Sequence, residues 1–258
     1  LRTIASTLSG RLDRSVIPTS LLHADRTDPA DLGGSPALLL EPEIVRRLDQ
    51  GETLFTLLPF FIGPSNAVTE YLPGRLSHLR DRHSVLETRI ADTLARLGSQ
   101  PDLRLADILA AQILLTADTL AGEAPPAVVV VDHGSPVPSV TRIRDRITLE
   151  VGRLLRDRVS EVRAASMERR EGRDYDFNEP LLATALARAL KTNRTVVVGL
   201  LFLAPGQHAG PRGDIDTICR RIERRSPGSR ILVTGLAGGH PGIVDILADR
   251  VKEAEVRS

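Results

Sequence analysis

Two histidines and a glutamate follow apolar segments in the second half of the chain. His133 follows Ala127–Asp132, Glu168 follows Val159–Met167, and His208 follows Thr195–Leu203. Imidazole nitrogens suit borderline divalent metals such as Co²⁺, Fe²⁺ or Ni²⁺, and a neutral imidazole also accepts a proton near neutral pH. Two histidine ligands leave coordination positions open for an incoming ligand. These residue types therefore indicate a site that binds a metal and moves protons.

The elements that must position these side chains are four predicted strand–helix units. The strands are Ala127–Asp132, Val159–Met167, Thr195–Leu203 and Arg230–Thr234, and the helices are Pro138–Arg158, Pro180–Lys191, Gly213–Arg224 and Pro241–Ala254. Alternating strands and helices predict a parallel sheet covered by helices on both faces. Right-handed crossovers favour the strand order two-one-three-four, in which strands one and three are neighbours. This order brings His133 and His208 to one crevice at the carboxyl ends of the strands.

Structural roles for the same residues stay open. A histidine at a strand end is more often a turn or capping residue, and Gly134-Ser135 is compatible with a plain strand-to-helix turn in which Ser135 or Ser139 caps the helix. A nucleotide-binding flavodoxin-like protein is a weaker alternative, because no glycine-rich phosphate-binding loop follows the first strand.

The first half of the chain repeats the plan of the second. Leu54–Phe60, Phe61 and Pro64 match Thr195–Leu201, Phe202 and Pro205 at an offset of 141 residues, and Asp107–Ala110 recurs as Asp245–Ala248. We therefore expect an α/β fold of two similar parallel-sheet βα half-domains, 1–122 and 127–258, joined near Ala121–Pro126 and facing each other across a cleft. Three strands are expected in the first half and four in the second.

The first half is expected to be degenerate. Ala67 stands at the position that corresponds to His208, so the histidine pair has no counterpart there. The repeat offset places Leu1 inside the first helix of its half, and we expect the natural protein to start earlier. The metal site is accordingly expected in the second half alone.

Composition and charge narrow the class of protein. The 258 residues are 41% hydrophobic and 26% charged, which is typical of a globular chain. A net charge of +1 gives no overall electrostatic signature for nucleic acid, and no apolar run approaches the roughly 20 residues that span a bilayer. With the single cysteine Cys219 and no secretory leader, we expect a cytoplasmic protein without nucleic-acid or membrane partners. The oligomeric state stays open, a homo-oligomer included.

Motifs around both histidines resemble those of one family. Asp132-His133-Gly134-Ser135 after an apolar strand resembles the opening motif of the CbiX-type sirohydrochlorin chelatases, and a strand followed by Pro205-Gly206-Gln207-His208 resembles their second motif. The turn Leu236–Pro241 resembles the family's last strand-to-helix turn, and the stretches Ser166–Leu182 and Phe60–Pro73 resemble the long, two-half members of this family. Asp214 follows His208 by six residues, whereas the family commonly has an acidic residue four positions after that histidine.

The resemblance implies a chelatase-like fold with flavodoxin-like strand order, and ATP-independent insertion of a divalent metal into sirohydrochlorin. This is a lyase reaction of cobalamin or siroheme (porphyrin-type) biosynthesis. His133 and His208 would be both the catalytic and the metal-binding residues. The metal, Co²⁺ or Fe²⁺ with Ni²⁺ as a further alternative, is a substrate, and no organic cofactor is expected. A non-catalytic tetrapyrrole or metal carrier with the same fold is the alternative function.

The tetrapyrrole substrate would be recognised through its charge. Sirohydrochlorin carries eight carboxylates, and planar guanidinium groups match carboxylates well. The predicted substrate-binding residues lie on loops beside the proposed crevice and are Glu168, Arg169, Arg170, Arg173, Arg212 and Ser135. A solvated surface charge run is the alternative interpretation of the arginine-rich loop.

Overall fold

A computed structural model describes residues 1–22, 29–32, 34–120 and 123–256. Residues 121 and 122, at the predicted junction between the halves, lie outside this part. The chain divides into two compact units: the first is Leu1–Phe60, Asn66–Thr93 and Val244–Ser258, and the second is Phe61–Ser65 and Leu94–Ile243. In the described residues no helix is long and apolar enough to cross a membrane.

The first unit combines helices with very short strands. Its helices include α1 (Arg2–Leu12), α2 (Leu40–Leu48) and α3 (Leu72–Arg82), and its strands are β1 (Thr19–Ser20), β2 (Leu38–Leu39), β3 (Leu54–Leu57) and β4 (Glu87–Ile90). The strands form two separate parallel pairs, β1 with β2 and β3 with β4. A cluster of buried side chains packs α2 and α3 against β3: Ile44, Leu57, Leu72, Leu76, Leu79 and Leu86.

The prediction of three strands for the first half is wrong, because the described residues contain four. The unexpected strand is β2, whose two residues pair with β1. The second half has a shorter version of this contact, a single parallel bridge between Ser166 and Leu181. Strands of two residues are too short for an alternating pattern to show in the sequence.

The second unit is built around a four-stranded parallel sheet. Its strands are β5 (Ala127–Asp132), β6 (Glu161–Ser166), β7 (Thr195–Leu200) and β8 (Arg230–Val233), and their order is β6-β5-β7-β8. Every residue of β5 and β7 is buried. Central strands covered on both faces need continuous apolar runs, and both strands consist almost wholly of such residues. The predicted order two-one-three-four is confirmed.

Helices cover both faces of this sheet. They are α4 (Arg104–Ala117), α5 (Pro138–Leu155), α6 (Leu182–Ala189) and α7 (Asp214–Arg225). The last helix, α8 (Gly242–Val256), begins at the end of this unit. On one face α6 and α7 form the core with alternate residues of β5 and β7. Cys219 lies in this core, and burial raises the pKa of its thiol to about 12. The interpretation of Cys219 as a small buried hydrophobic residue fits this position.

The last helix of each half belongs to the compact unit of the other half. Helix α4 lies within residues 1–122, yet it packs on β7, where a Cβ added to Gly199 would lie 3.1 Å from the Ile113 side chain. Conversely, the part of α8 from Val244 onward belongs to the first unit. The compact units therefore differ from the predicted halves 1–122 and 127–258, and the division at 122 stays a prediction about the sequence repeat.

Helix α2 contains a carboxylate whose ionisation should contribute to stability. Glu43 is 8% exposed and accepts hydrogen bonds from Arg46 (Nη2, 2.6 Å) and Arg47 (Nε, 3.0 Å). The bond from Arg46 is the main cause that lowers the pKa of Glu43 from 4.5 to about 2. A carboxyl with a lowered folded-state pKa contributes stability above its ordinary pKa and loses it as the pH falls through the folded value.

We therefore expect wild-type protein to lose its stability advantage over Glu43→Gln as the pH falls from about 4.5 toward 2. The measurement is the free energy of unfolding of both proteins by urea denaturation, followed by circular dichroism across this range. A difference between the two proteins that stays constant with pH would contradict the expectation.

Candidate metal-binding site

The carboxyl ends of β5 and β7 bring His133 and His208 together. Their ring centroids are 4.7 Å apart and the ring planes meet at 67°. The His133 side chain is 47% exposed and the His208 side chain 34% exposed. The two rings thus share one partly open position at the sheet edge, as expected for neighbouring strands that both end in a histidine.

A glycine fixes the backbone around His133. Gly134 has a φ of +96°, and a Cβ at this residue would lie 2.0 Å from the carbonyl oxygen of Glu168. The chain segments after β5 and β6 continue to pair, since Met167 N donates to Asp132 O (2.8 Å) and Glu168 N donates to His133 O (3.1 Å). Only glycine combines the left-handed conformation with this close approach. The pairing places Glu168 beside His133.

His133 and Glu168 leave a gap suited to a cation. His133 Nδ1 lies 3.1 Å from the Gly134 carbonyl oxygen, which can only accept, so Nδ1 carries a proton. His133 Nε2 then lies 3.3 Å from Glu168 Oε1. A ring-nitrogen lone pair and a carboxylate oxygen at this distance attract each other only when a proton or a metal ion lies between them. Either a proton or a metal ion between these two atoms would therefore be stabilised at this edge of the site.

His208 lies in a tight loop that returns to the start of α7. Ala209 N donates to Pro205 O (2.9 Å), and Ile215 N donates to His208 O (3.2 Å). His208 Nδ1 lies 2.6 Å from Asp214 Oδ2, at the first residue of α7. The fold of the loop thus brings His208 and Asp214, which are six residues apart in the sequence, into contact.

A buried polar network lies behind the His133 loop. Asp132 is 6% exposed and accepts a hydrogen bond from Ser166 Oγ (2.7 Å), and Ser166 in turn accepts one from Arg144. The Arg144 guanidinium, 2% exposed, lies 3.7 Å from Asp132 and also donates to the Asn178 carbonyl (3.2 Å). Burial raises the pKa of Asp132, and the nearby Arg144 charge offsets this only in part. A charge pair removed from water needs such hydrogen bonds to be tolerated.

Asn178 clamps the backbone of the His133 loop. Its Oδ1 accepts from Ser135 N (2.9 Å) and its Nδ2 donates to Ser135 O (2.9 Å). Ser135 is 8% exposed, and its Oγ accepts from Val137 N in the turn before α5. These contacts favour the structural interpretation of Ser135, at the strand-to-helix turn, over its predicted contact with substrate.

The arginines of the loop between β6 and α6 differ in their surroundings. Arg169 is held inside the loop, where it donates to Glu179 (2.9 Å) and lies 3.3 Å from Asp176. Arg170 is exposed, and its guanidinium lies 5.9 Å from the centre of the Tyr175 ring. Of these two arginines, Arg170 is therefore the one with its charge open to a ligand, whereas Arg169 shapes the loop.

Two further predicted arginines are exposed. Arg173 begins the 3₁₀ helix Arg173–Asn178, and Arg212 lies in the His208 loop with a left-handed φ of +61°. Glu168 is also exposed. Arg170, Arg173 and Arg212 thus leave three guanidinium groups available on loops at the carboxyl edge of the sheet.

Three residues of this region were missed by sequence reasoning. Arg144 and Asn178 are fully buried polar side chains, and Asp214 was noted only for its spacing. An arginine at a core-facing position of an amphipathic helix is the signal that marks Arg144 in retrospect. Within the described ranges no group of three or more His, Cys, Asp or Glu side chains is arranged to hold a metal ion.

The site lies inside the region matched by a family model. The CbiX family matches residues 127–254, which contain β5 to β8, both histidines and both of their loops. Residues 127–254 belong to the CbiX family. The motif resemblance around His133 and His208 is thereby confirmed at the level of the family. No curated protein sequence matches the chain.

Comparison with solved structures extends the likeness in fold to nearly the whole chain. SirB from Bacillus subtilis with Fe³⁺ superposes with a TM-score of 0.69 at 12% identity, over 98% of this chain and 87% of that one. The sirohydrochlorin chelatase SirB from Bacillus subtilis subspecies spizizenii, in complex with cobalt, gives 0.66 at 15% identity, over 98% and 89%. A multi-domain protein from Deinococcus radiodurans with structural similarity to chelatases gives 0.57 at 16%, over 97% and 50%. At these identities the comparisons establish a chelatase-like fold.

Proposed function

We propose that this protein inserts a divalent metal ion, Co²⁺ or Fe²⁺, into sirohydrochlorin without ATP, in siroheme or cobalamin biosynthesis. The observation that carries the proposal is the meeting of His133 and His208, whose ring centroids are 4.7 Å apart at the carboxyl edge of the sheet. Family membership of residues 127–254 and the metal-bound SirB structures of the same fold support it.

The histidines supply the metal-binding groups. In His133 the proton lies on Nδ1, so Nε2 offers its lone pair. Glu168 Oε1, 3.3 Å from this nitrogen, provides a negative charge that offsets the charge of the dication. Imidazole with one carboxylate suits Co²⁺, Fe²⁺ and Ni²⁺. The choice among these metals depends more on the geometry of the site and on which metal the cell supplies than on the type of ligand.

Metal insertion releases two protons that the site must accept. Two pyrrole N–H bonds break, the ring binds the metal through its nitrogens, and two protons leave as the dication enters. As the metal passes to the ring, the nitrogens of His133 and His208 are freed, and each can accept a proton and pass it to water. Their partial exposure keeps both rings in reach of solvent.

The exposed arginines would orient the substrate. Arg170, Arg173 and Arg212 lie on the two loops that carry the residues after β6 and β7. Each guanidinium can hold a substrate carboxylate through two parallel hydrogen bonds. Arg169 would act indirectly, because its contacts with Asp176 and Glu179 already maintain the loop.

An anaerobic insertion assay tests the proposal. Sirohydrochlorin in excess over protein is mixed with Co²⁺, Fe²⁺ or Ni²⁺, and the loss of the metal-free absorption spectrum is followed against protein-free and heat-denatured controls. We expect many equivalents of metallated product per protein with Co²⁺ or Fe²⁺. Rates equal to the controls with all three metals would refute the proposal, and binding of one equivalent without turnover would favour the carrier.

Neutralising the exposed arginines should weaken substrate binding. For Arg170→Ala/Arg173→Ala/Arg212→Ala we expect a raised KM for sirohydrochlorin with little change in Co²⁺ affinity, at about 1–3 kcal/mol for each lost charge-assisted contact. The kinetics of insertion at varied sirohydrochlorin concentration measure this effect.

A matched control removes the same charge from three arginines outside the two site loops, which lie in α5, in the turn before β6 and within β6. The variant Arg153→Ala/Arg158→Ala/Arg163→Ala replaces three side chains that are 62%, 61% and 51% exposed. Its KM should equal that of the wild type. Equal KM values for both triple variants would show that the loop arginines are solvated surface residues that do not bind the substrate.

A further inference from the structure

The carboxylate of Asp214 determines which nitrogen of His208 carries the proton. Asp214 Oδ2 lies 2.6 Å from His208 Nδ1. A carboxylate can only accept, so the proton of this short hydrogen bond lies on Nδ1. The lone pair of a neutral His208 ring is then on Nε2.

His133 reaches the same state by a different contact. Its Nδ1 faces the backbone carbonyl of Gly134 at 3.1 Å, so its proton also lies on Nδ1. Both rings therefore offer Nε2. The difference is that the acceptor for His133 belongs to the backbone, whereas the acceptor for His208 is a side chain that a substitution can remove.

The contact between His208 and Asp214 is built into the fold of the loop. A Cβ at Gly213 would lie 2.6 Å from the His208 carbonyl oxygen and 2.7 Å from that of Gln207. Ile215 N, one residue past the carboxylate, donates to His208 O at 3.2 Å. Backbone contacts on both sides of Asp214 therefore hold it against the histidine, unlike a chance surface ion pair between two mobile side chains.

We propose that Asp214 is a positioning residue for metal capture, which fixes the ring orientation and the Nδ1–H tautomer of His208 so that Nε2 faces the incoming metal. This inference rests on the proposed function and adds a residue to it. Partners that hold the second nitrogen of a metal-binding histidine typically change metal affinity by about 10- to 100-fold when they are removed.

The chain offers a matched control two residues away. Asp216 lies in the same first turn of α7, where a carboxylate interacts with the helix dipole just as that of Asp214 does. Its side chain contacts Arg220 (2.9 Å), and no histidine contact is among its described interactions. Asp216→Ala therefore removes the same charge from the same helix end without touching His208.

The tautomer is measured first, on metal-free protein. Two-bond ¹H–¹⁵N correlation spectra of the histidine rings distinguish Nδ1–H from Nε2–H. We expect Nδ1–H for His208 in the wild type and in Asp216→Ala, and a shift toward Nε2–H in Asp214→Ala. In Asp214→Asn the side-chain oxygen can still accept from Nδ1, so this variant should keep the wild-type tautomer even if the alanine variant folds poorly.

Cobalt affinity gives the second readout. Titration of metal-free protein with Co²⁺ alone should show affinity about 10- to 100-fold lower for Asp214→Ala, and within twofold of wild type for Asp216→Ala, with an intermediate value for Asp214→Asn. The KM for sirohydrochlorin should stay unchanged in Asp214→Ala.

The outcomes separate this inference from the proposed function. Wild-type tautomer and Co²⁺ affinity in Asp214→Ala would overturn the role of Asp214. A wild-type protein that binds Co²⁺ at His208 but inserts none would overturn the proposed function alone. A wild-type protein that binds no Co²⁺ would overturn both.

Discussion

His133→Ala and His208→Ala should each lower the rate of metal insertion by at least about 100-fold. Each replacement removes one of the two proposed metal ligands and proton acceptors, and a positioned acid–base group alone contributes about 10²–10⁴-fold. Both side chains are partly exposed at the ends of strands, so we expect the folded structure to persist, with stability changes of about 0.5 kcal/mol or less. Initial rates of Co²⁺ insertion and thermal unfolding of each variant check both parts.

His78→Ala is the matched control for the histidine variants. His78 is exposed on α3, and its ring contacts the Gly74 carbonyl within the same helix. Its replacement removes one imidazole from the protein and should leave the insertion rate unchanged. Full activity in His208→Ala would refute the insertion mechanism and favour the tetrapyrrole or metal carrier.

Gly134→Ala should damage both the fold and the site. A Cβ at this residue would lie 2.0 Å from the Glu168 carbonyl oxygen, and alanine is strained at a φ of +96°. The loop after β5 must therefore separate from Glu168, which displaces His133. We expect a loss of about 1–3 kcal/mol in the free energy of unfolding, and a loss of insertion rate of about 100-fold, as displacements near 1 Å can produce.

A glycine in open space separates the two effects of this substitution. Gly228 has a φ of +79°, and a Cβ there would meet no atom within 4 Å. Gly228→Ala, in the turn before β8, should share the backbone strain but keep the insertion rate. Urea denaturation and initial rates of both variants give the comparison. Equal activity of the two variants would contradict the role assigned to the Gly134 contact.

The part of the architecture that follows from local pattern was predictable. β5 and β7 are apolar runs because buried parallel strands require them, and β5 was located at Ala127–Asp132 from its sequence. The handedness of crossovers then gave the neighbouring positions of β5 and β7, and with them the meeting of His133 and His208. These inferences need only the apolar runs in the sequence and the rule that crossovers between parallel strands are right-handed.

The remaining features depend on packing that no local pattern encodes. The apolar face of α4 indicates that this helix is buried, but it does not indicate against which sheet. The sequence therefore did not predict that α4 belongs to the second unit and that α8, from Val244 onward, belongs to the first. Arg144 contacts Asn178, and Asn178 contacts Ser135; in each pair the two residues lie more than 30 positions apart in the sequence. The contact between Asp214 and His208 depends on the turn at Gly213, whose conformation the spacing alone does not reveal.

The most direct test of the central claim is the location of a bound cobalt ion. Anomalous diffraction at the cobalt edge, from crystals grown with one equivalent of Co²⁺, would place the metal among the side chains. The account predicts a single cobalt bound by Nε2 of both His133 and His208, at distances near the roughly 2.0–2.1 Å typical of zinc–imidazole bonds, with Glu168 beside it. Cobalt bound away from this pair, or held by one of the two histidines without the other, would contradict the account.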